Sequence, residues 1–172
     1  LSLRLAELDP DDGAAAAAAS GWLARSGQPL KALQYAESAL ALGVSVNVAG
    51  TLGSFSQLDD NTQRAVAAAI ESLSSRWPND DEIAIAATLL ARLKQDWQLA
   101  ESLILPVLQR SPGDVRSIML WTQLQIDQSV EDPLERLVEA VTEYPENTEL
   151  RLQYARLLGA EGDYSGAQAQ FA

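Results

Sequence analysis

The sequence predicts an all-α fold of consecutive antiparallel helix pairs, and three observations support it. Four prolines close apparent helix ends: Pro10, Pro78, Pro112 and Pro145. The last three are about 34 residues apart and the first stands two such periods earlier, a regularity typical of proteins that stack one supersecondary unit per repeat. Apolar residues recur at helical spacing, as in 98–110, and we interpret no segment as a strand.

The period divides the chain, taken as one domain over residues 1–172, into repeats. Their predicted limits are about 11–44, 45–78, 79–112 and 113–145, with partial repeats at 1–10 and 146–172. A small residue recurs in the middle of four first helices, where two helices can approach closely only if side chains are small. These residues are Ser20, Thr88, Thr122 and Ala155. Because residues 1–8 read as the end of a helix and the last residues as an unfinished one, we expect a piece of a longer protein that self-associates through its ends.

Two places depart from this regular pattern. Residues 43–57 contain Gly50 and Gly53 among β-branched residues, and each glycine weakens a helix by about 1 kcal/mol. We therefore predict a short or irregular first helix in the second repeat. Pro106 falls inside a predicted helix, where it removes one backbone hydrogen bond and should produce a bend.

Acidic residues cluster at the predicted turns and helix starts. Asn79 stands three residues before Glu82, and Asp60 stands three before Gln63. The same spacing separates Asp132 from Glu135, with a proline directly after the aspartate. Such pairs are typical of helix N-termini, where negative charge complements the helix dipole. We interpret the acidic clusters as caps rather than as acid–base catalysts or a calcium loop.

The composition excludes several kinds of chemistry. The chain has no cysteine and no histidine, which removes disulfides, thiolate metal ligands and the commonest general base. Its net charge of −12 repels phosphate backbones, so we expect no nucleic-acid partner. No apolar run approaches the roughly 18 residues of a membrane-spanning helix, so we expect no direct membrane insertion by this segment. We predict no enzyme activity, no catalytic residue, no metal and no cofactor.

The aromatic side chains are expected to be mainly structural. Trp22, Trp121 and Tyr154 lie on helical apolar stripes and are predicted to be core residues, since large aromatics dominate buried area. Trp97 and Tyr164 follow the turns within two hairpins and are predicted to pack between helices.

Turn and packing residues in three repeats resemble the tetratricopeptide repeat. The last repeat has the fullest set: Ala155, Leu158, Gly162, Asp163, Tyr164, Ala167 and Phe171. The first repeat contributes Gly27, Ala32, Ala39 and Leu40, and the third contributes Asp96, Trp97, Ala100 and Pro112. The repeat at 113–145 lacks the Gly-Asp-Tyr turn, and the repeat at 45–78 matches poorly.

The resemblance implies a right-handed superhelical solenoid whose first helices line a concave groove. At the groove positions of this family the sequence has an apolar and basic set: Ile85, Leu89, Arg92, Arg116, Met119, Gln123, Leu152 and Arg156. Such a lining suits an extended peptide or a partner helix. The resemblance therefore implies a protein-interaction scaffold or adaptor that holds a peptide or protein segment.

The last repeat is also similar to tetratricopeptide proteins of the bacterial envelope, many of them lipoproteins. This likeness implies a bacterial protein, in the periplasm or envelope rather than the cytoplasm, with a protease or its substrates as candidate partners. Two alternatives stay open: an architectural spacer without a ligand, and a non-catalytic part of a larger envelope enzyme complex. A helical-repeat RNA binder is the least favoured, because of the acidic balance.

Overall fold

A computed structural model describes Ala6 and residues 9–171, and within that part all regular secondary structure is helical. The α-helices are α1 (Gly13–Arg25), α2 (Pro29–Ala41), α3 (Asp60–Arg76), α4 (Asp81–Leu93), α5 (Trp97–Arg110), α6 (Val115–Asp127), α7 (Glu135–Glu143), α8 (Thr148–Ala160) and α9 (Tyr164–Ala169). Two short 3-10 helices, η1 (Ala49–Leu52) and η2 (Phe55–Gln57), precede α3. The described residues contain no strand, so the predicted all-α class is confirmed. Apart from Ala6, which is helical and buried, the predicted helix end at 1–8 lies outside the described residues.

The helices form two compact units, residues 1–103 and residues 104–172, which divide within α5. In the first unit α1 packs on α2, α2 on α3 and α3 on α4. The 3-10 helix η1 contacts α1, α2 and α4. The interior of this unit includes Leu33, Val48, Ile70, Leu73 and Ile83, each at most 3% exposed.

In the second unit α6 packs on α7, α7 on α8 and α8 on α9, and α6 also contacts α8. Four of its fully buried large side chains are Ile118, Leu124, Leu137 and Leu150. Neighbours along the chain are therefore neighbours in each unit, which confirms the predicted sequential packing of helix pairs.

Four first helices begin at the same kind of capping residue, two positions after one of the four prolines. The capping residues are Asp12, Asp80, Asp114 and Asn147, which therefore keep the spacing of those prolines. Each side chain accepts a hydrogen bond from the N–H three residues later, at 2.9, 3.1, 2.9 and 3.2 Å respectively. This bond satisfies a backbone donor that has no partner within the helix. Pro-x-Asp or Pro-x-Asn therefore marks the start of α1, α4, α6 and α8.

The same four helices also end alike. Each is followed by a residue in the left-handed conformation: Gly27, Gln95, Ser129 and Gly162, with φ of 71°, 59°, 55° and 88°. The N–H of the next residue donates to the carbonyl five positions earlier, at 2.9–3.0 Å in all four turns. This bond is part of the Schellman arrangement that closes many helices. Glycine is the terminator that the sequence predicts, yet Gln95 and Ser129 take the same backbone conformation.

Residues 43–57 lack a capped first helix, and they are irregular as predicted. The position that corresponds to Asp80 one period earlier is Val46, which has no side-chain acceptor and is 5% exposed. Instead of an α-helix the segment forms η1 and η2. It is joined to the next helix start by the Ser45 hydroxyl, which donates to Oδ2 of Asp80 at 3.2 Å.

Two predicted helix starts are wrong by one residue. Asp80, not Asn79, caps α4, because its extended backbone (φ −84°, ψ 118°) points the carboxylate back at the helix N-terminus. Asp59, not Asp60, caps α3, and its Oδ1 accepts the N–H groups of Asn61 and Thr62 at 3.0 Å. The bond from the Thr62 hydroxyl, together with these backbone bonds, lowers the pKa of the Asp59 carboxyl below its ordinary value.

Two aromatic predictions are also wrong. Trp22 is 46% exposed, because the face of α1 that packs inward passes through Ala19 and Leu23 and leaves residue 22 to one side. Tyr164 is 75% exposed, and none of the six residues of α9 is buried. Trp97, Trp121 and Tyr154 are half-buried. The helix α5 continues through Pro106 to Arg110.

Candidate binding surfaces

The predicted groove residues of the first unit lie on α4 with unequal access to solvent. Ile85 is 4% exposed and belongs to a run, 83–88, in which every residue is buried. Leu89 is half-buried and packs against the interior of its unit, and Arg92 is half-buried in the last turn. Because its side chain is almost fully buried, Ile85 cannot meet a partner without local opening.

The predicted residues of the second unit are more accessible. Arg116, Met119 and Gln123 follow one another along α6 at helical spacing, and Leu152 and Arg156 do so along α8. The two arginines are exposed and the other three side chains are half-buried. Since α6 and α8 contact each other, the two first helices of this unit are adjacent.

Local contacts shape the α6 part of this face. Nε of Arg116 lies 3.9 Å from Oδ1 of Asp114, whose other oxygen caps α6. Nε2 of Gln123 donates to Oδ1 of Asp127 at 2.9 Å. The face thus offers basic head groups beside half-buried apolar side chains, which is the chemistry expected for a carboxylate-bearing segment.

The first unit also has a groove that sequence reasoning missed. A cavity of about 570 Å³ opens between the N-terminal half of α3 and the end of α4. Its lining includes Phe55, Ala67 and Leu93, and Leu93 is 45% exposed. Lys94 Nζ and Glu71 Oε1, 2.9 Å apart, border this groove and also a smaller hollow of about 210 Å³ that includes Leu99. The lining of the larger groove carries both acidic and basic side chains, so its charge favours no single class of ligand.

An ion pair joins α2 to α3 in the same unit. Nη1 of Arg76 donates to Oε1 of Glu37 at 2.6 Å. This hydrogen bond lowers the pKa of the Glu37 carboxyl and raises that of the Arg76 guanidinium. The guanidinium also lies 4.7 Å from the ring centre of Trp77, within the range of a cation–π contact. Because both charged groups are about half exposed, the pair is a modest structural clamp.

The second unit has two adjoining hollows around the start of α7, of about 580 and 290 Å³. Both are lined by Asp132, Pro133, Glu135 and Glu139. The prediction that the acidic cluster at Glu131–Asp132 caps a helix is wrong here, since the N-cap of α7 is Leu134 and has no side-chain capping bond. Asp132 itself has a left-handed backbone (φ 56°), which places it outside the helix.

Neither metal chemistry nor membrane crossing finds support in the described part of the chain. Among residues 9–171 no group of three or more carboxylates is arranged to hold a metal ion. No helix there is both long enough and apolar enough to cross a bilayer.

Comparison with known proteins assigns no family. No protein-family model matches the chain, and no curated protein matches it in sequence. The function has to be argued from the surfaces themselves.

Proposed function

We propose that the chain is a protein-interaction scaffold of the tetratricopeptide type, which holds a peptide or protein segment on the faces of its first helices. The observation that carries the proposal is the recurrence of one cap and one terminating turn around α1, α4, α6 and α8, on the period of the four prolines. A right-handed superhelix is part of the same proposal. The adjacency of α6 and α8 supports the stacking of hairpins, because stacked hairpins bring successive first helices together.

Binding in the second unit would use two kinds of contact. Arg116 and Arg156 would orient an acidic or carboxylate-bearing segment, and the apolar atoms of Met119 and Leu152 would be buried beneath it. Arg92 stands at another of the predicted groove positions, on α4 in the first unit. Exposed charged contacts of this kind contribute about 0.2–1 kcal/mol each. The arginines would therefore set orientation and association rate more than affinity.

The cellular setting is part of the same proposal. The likeness of the last repeat to envelope tetratricopeptide proteins supports a bacterial periplasmic or envelope adaptor, with a protease or its substrates as partners. An architectural spacer is the competing function, and it predicts that these faces bind nothing.

The test begins with selection of ligands for the immobilised chain from a random-peptide display library. Affinities of the selected peptides are then measured by calorimetry for the wild type and for the double variant Arg116→Ala/Arg156→Ala. We expect roughly threefold to tenfold weaker binding and a flatter salt dependence, because two exposed charge contacts are lost.

The matched control is Arg64→Ala/Arg110→Ala, which removes the same charge from exposed residues of two second helices, α3 and α5. It should change affinity less than about twofold. Equal weakening by both variants would show that only net charge matters and would reject this face as the binding site. Failure to select any peptide would favour the spacer.

A further inference from the structure

We propose that the start of α7 carries a second binding surface, which takes a basic amphipathic segment of another protein. Its charge is opposite to that of the surface around Arg116 and Arg156, which we name the arginine face. The surface consists of the two hollows that meet at Asp132, Pro133, Glu135 and Glu139, and we name it the α7 surface. It goes beyond the scaffold function proposed above, because none of its residues belongs to the predicted groove.

Apolar side chains form the floor of the α7 surface. Val130 and Val138 are 42% and 39% exposed. Pro133 and Leu134 are half-buried between them, and Trp121 lines the smaller hollow. These residues could bury substantial apolar area against a partner, and burial is the main source of affinity in such contacts.

The geometry of α7 explains why this face is turned outward. Leu137 and Ala140 are buried and hold the helix to its neighbours. Glu135, Val138 and Glu139 follow at the spacing of a single helix face and point away from that interior. The exposed valine is thus framed by two carboxylates on one ridge.

The charges around this floor select the occupant. The two hollows are lined by five carboxylates and one guanidinium: Glu131, Asp132, Glu135, Glu139 and Glu161, with Arg136. None of the five carboxylates forms an ion pair with a cation in the part of the chain that the structure describes. A segment that carries lysine or arginine beside aliphatic residues would satisfy both the charge and the apolar floor.

Two other occupants fit less well. A divalent cation is disfavoured, because no three of the described carboxylates are placed to hold one. A second copy of the chain is disfavoured by its net charge of −12, because two copies repel each other overall and most strongly where two acidic faces meet. A basic segment of another protein is the occupant that the observations favour.

The probe for the experiment is a fluorescein-labelled amphipathic peptide of lysine and leucine, titrated with the full chain and followed by anisotropy. Its two control peptides replace every leucine by serine or every lysine by glutamate. We expect the lysine–leucine peptide to bind, the lysine–serine peptide to bind several-fold more weakly, and the glutamate–leucine peptide not to bind at this surface.

Variants of the chain locate the binding. Glu135→Gln/Glu139→Gln should weaken binding of the lysine–leucine peptide roughly fivefold, and Val138→Ser roughly threefold. The control Glu143→Gln/Glu146→Gln changes the net charge equally at exposed residues that line neither hollow, and should have less than about a twofold effect. Circular dichroism of each variant verifies that the helices remain.

Three results would overturn the proposal. One is equal weakening by the two glutamate pairs, which would indicate diffuse attraction to an acidic protein. Another is binding of the lysine–serine peptide as tight as that of the lysine–leucine peptide. The third is a dimer in sedimentation that dissociates in Glu135→Gln/Glu139→Gln, which would make a second copy the occupant. The Arg116/Arg156 test is independent, so the arginine face and the α7 surface can fail separately.

Discussion

Residues 44–59 and residues 78–93 occupy the same place in two successive repeats, yet only the second forms an α-helix. Residues 78–80 read Pro-Asn-Asp, and the aspartate caps α4. Residues 44–46 read Val-Ser-Val, with no acceptor at the capping position. The two segments thus differ both in the capping residue and in the helix-weakening residues Gly50 and Gly53 that follow it in the irregular segment.

The uncapped segment is held by burial instead. Val48 and Thr51 are at most 2% exposed, and the Thr51 hydroxyl donates to the Val48 carbonyl at 2.7 Å. Phe55 stands one repeat period before Leu89 and is 9% exposed, at the lip of the larger groove of the first unit. Leu89 therefore lies on a helix face, whereas Phe55, its counterpart in the earlier segment, is a buried ring beside a groove.

The largest expected effect in this comparison comes from removing that ring. Phe55→Ala should lower the free energy of unfolding of the first unit by about 3 kcal/mol, since a buried aromatic leaves both lost transfer energy and a cavity. Urea unfolding monitored by tryptophan fluorescence measures the change. Ser56→Ala, at the exposed neighbour, should stay within about 0.5 kcal/mol. A small effect of Phe55→Ala would mean that the segment is not held by burial.

The next effect is loss of the cap on α4. Asp80→Ala should lower the free energy of unfolding by about 1 kcal/mol, because the N–H of Ile83 loses its acceptor, whereas Asp80→Asn should retain most of it. Asn79→Ala should change stability by less than about 0.5 kcal/mol. Denaturation curves that rank Asn79→Ala as the more harmful substitution would contradict the assigned cap.

A smaller effect distinguishes two kinds of glycine. Gly53 has helical dihedrals (φ −58°, ψ −28°), and an added Cβ would lie 3.5 Å from the Gly50 carbonyl oxygen, an ordinary contact. Gly53→Ala should therefore stabilise the protein by about 0.4–1 kcal/mol. Gly162, at φ 88°, ends a capped helix, and Gly162→Ala should destabilise by about 1 kcal/mol. Thermal melts of both variants test the pair, and the same sign for both would refute the distinction.

The smallest effect concerns the clamp between α2 and α3, the helices on either side of the uncapped segment. The pKa of Glu37 is lowered in the folded protein, so its ion pair contributes stability above the ordinary carboxyl pKa and loses it as pH falls through the lowered value. Because the pair is half exposed, Glu37→Gln should cost only about a few tenths of a kcal/mol near neutral pH. The difference between wild type and variant, measured by urea unfolding, should shrink below about pH 4. A difference that grows on acidification would contradict this sign.

The sequence predicts the parts of the fold that depend on local chemistry. The proline period, the turns at Gly27 and Gly162 and the irregular segment at 43–57 all follow from residue types whose backbone preferences are strong. The exact caps did not follow, because Asn79 and Asp80 both satisfy the capping pattern in sequence. Only the backbone conformation at each residue decides which side chain reaches the N–H three residues on.

The candidate surfaces could be predicted only in part. The resemblance assigned Arg116 and Arg156 to the groove, and both are exposed, but it could not show that Ile85 is buried, since burial depends on tertiary packing. The sequence did not predict the α7 surface, because acidic residues just before a helix are usually interpreted as its N-terminal caps. Its signal was Pro133 after Asp132, where the helix begins later than the acidic cluster suggests.

Hydrogen exchange measures most directly whether the cap on α4 makes its amides better protected than those of 44–59. It is read on the wild-type chain by mass spectrometry over peptides within 44–59 and 83–93. The account predicts that amides of α4 exchange on the order of a hundredfold more slowly than those of 44–59, and that Asp80→Ala narrows the gap by speeding exchange in the first turns of α4. Equal protection of the two segments, or a gap that Asp80→Ala leaves unchanged, would contradict it.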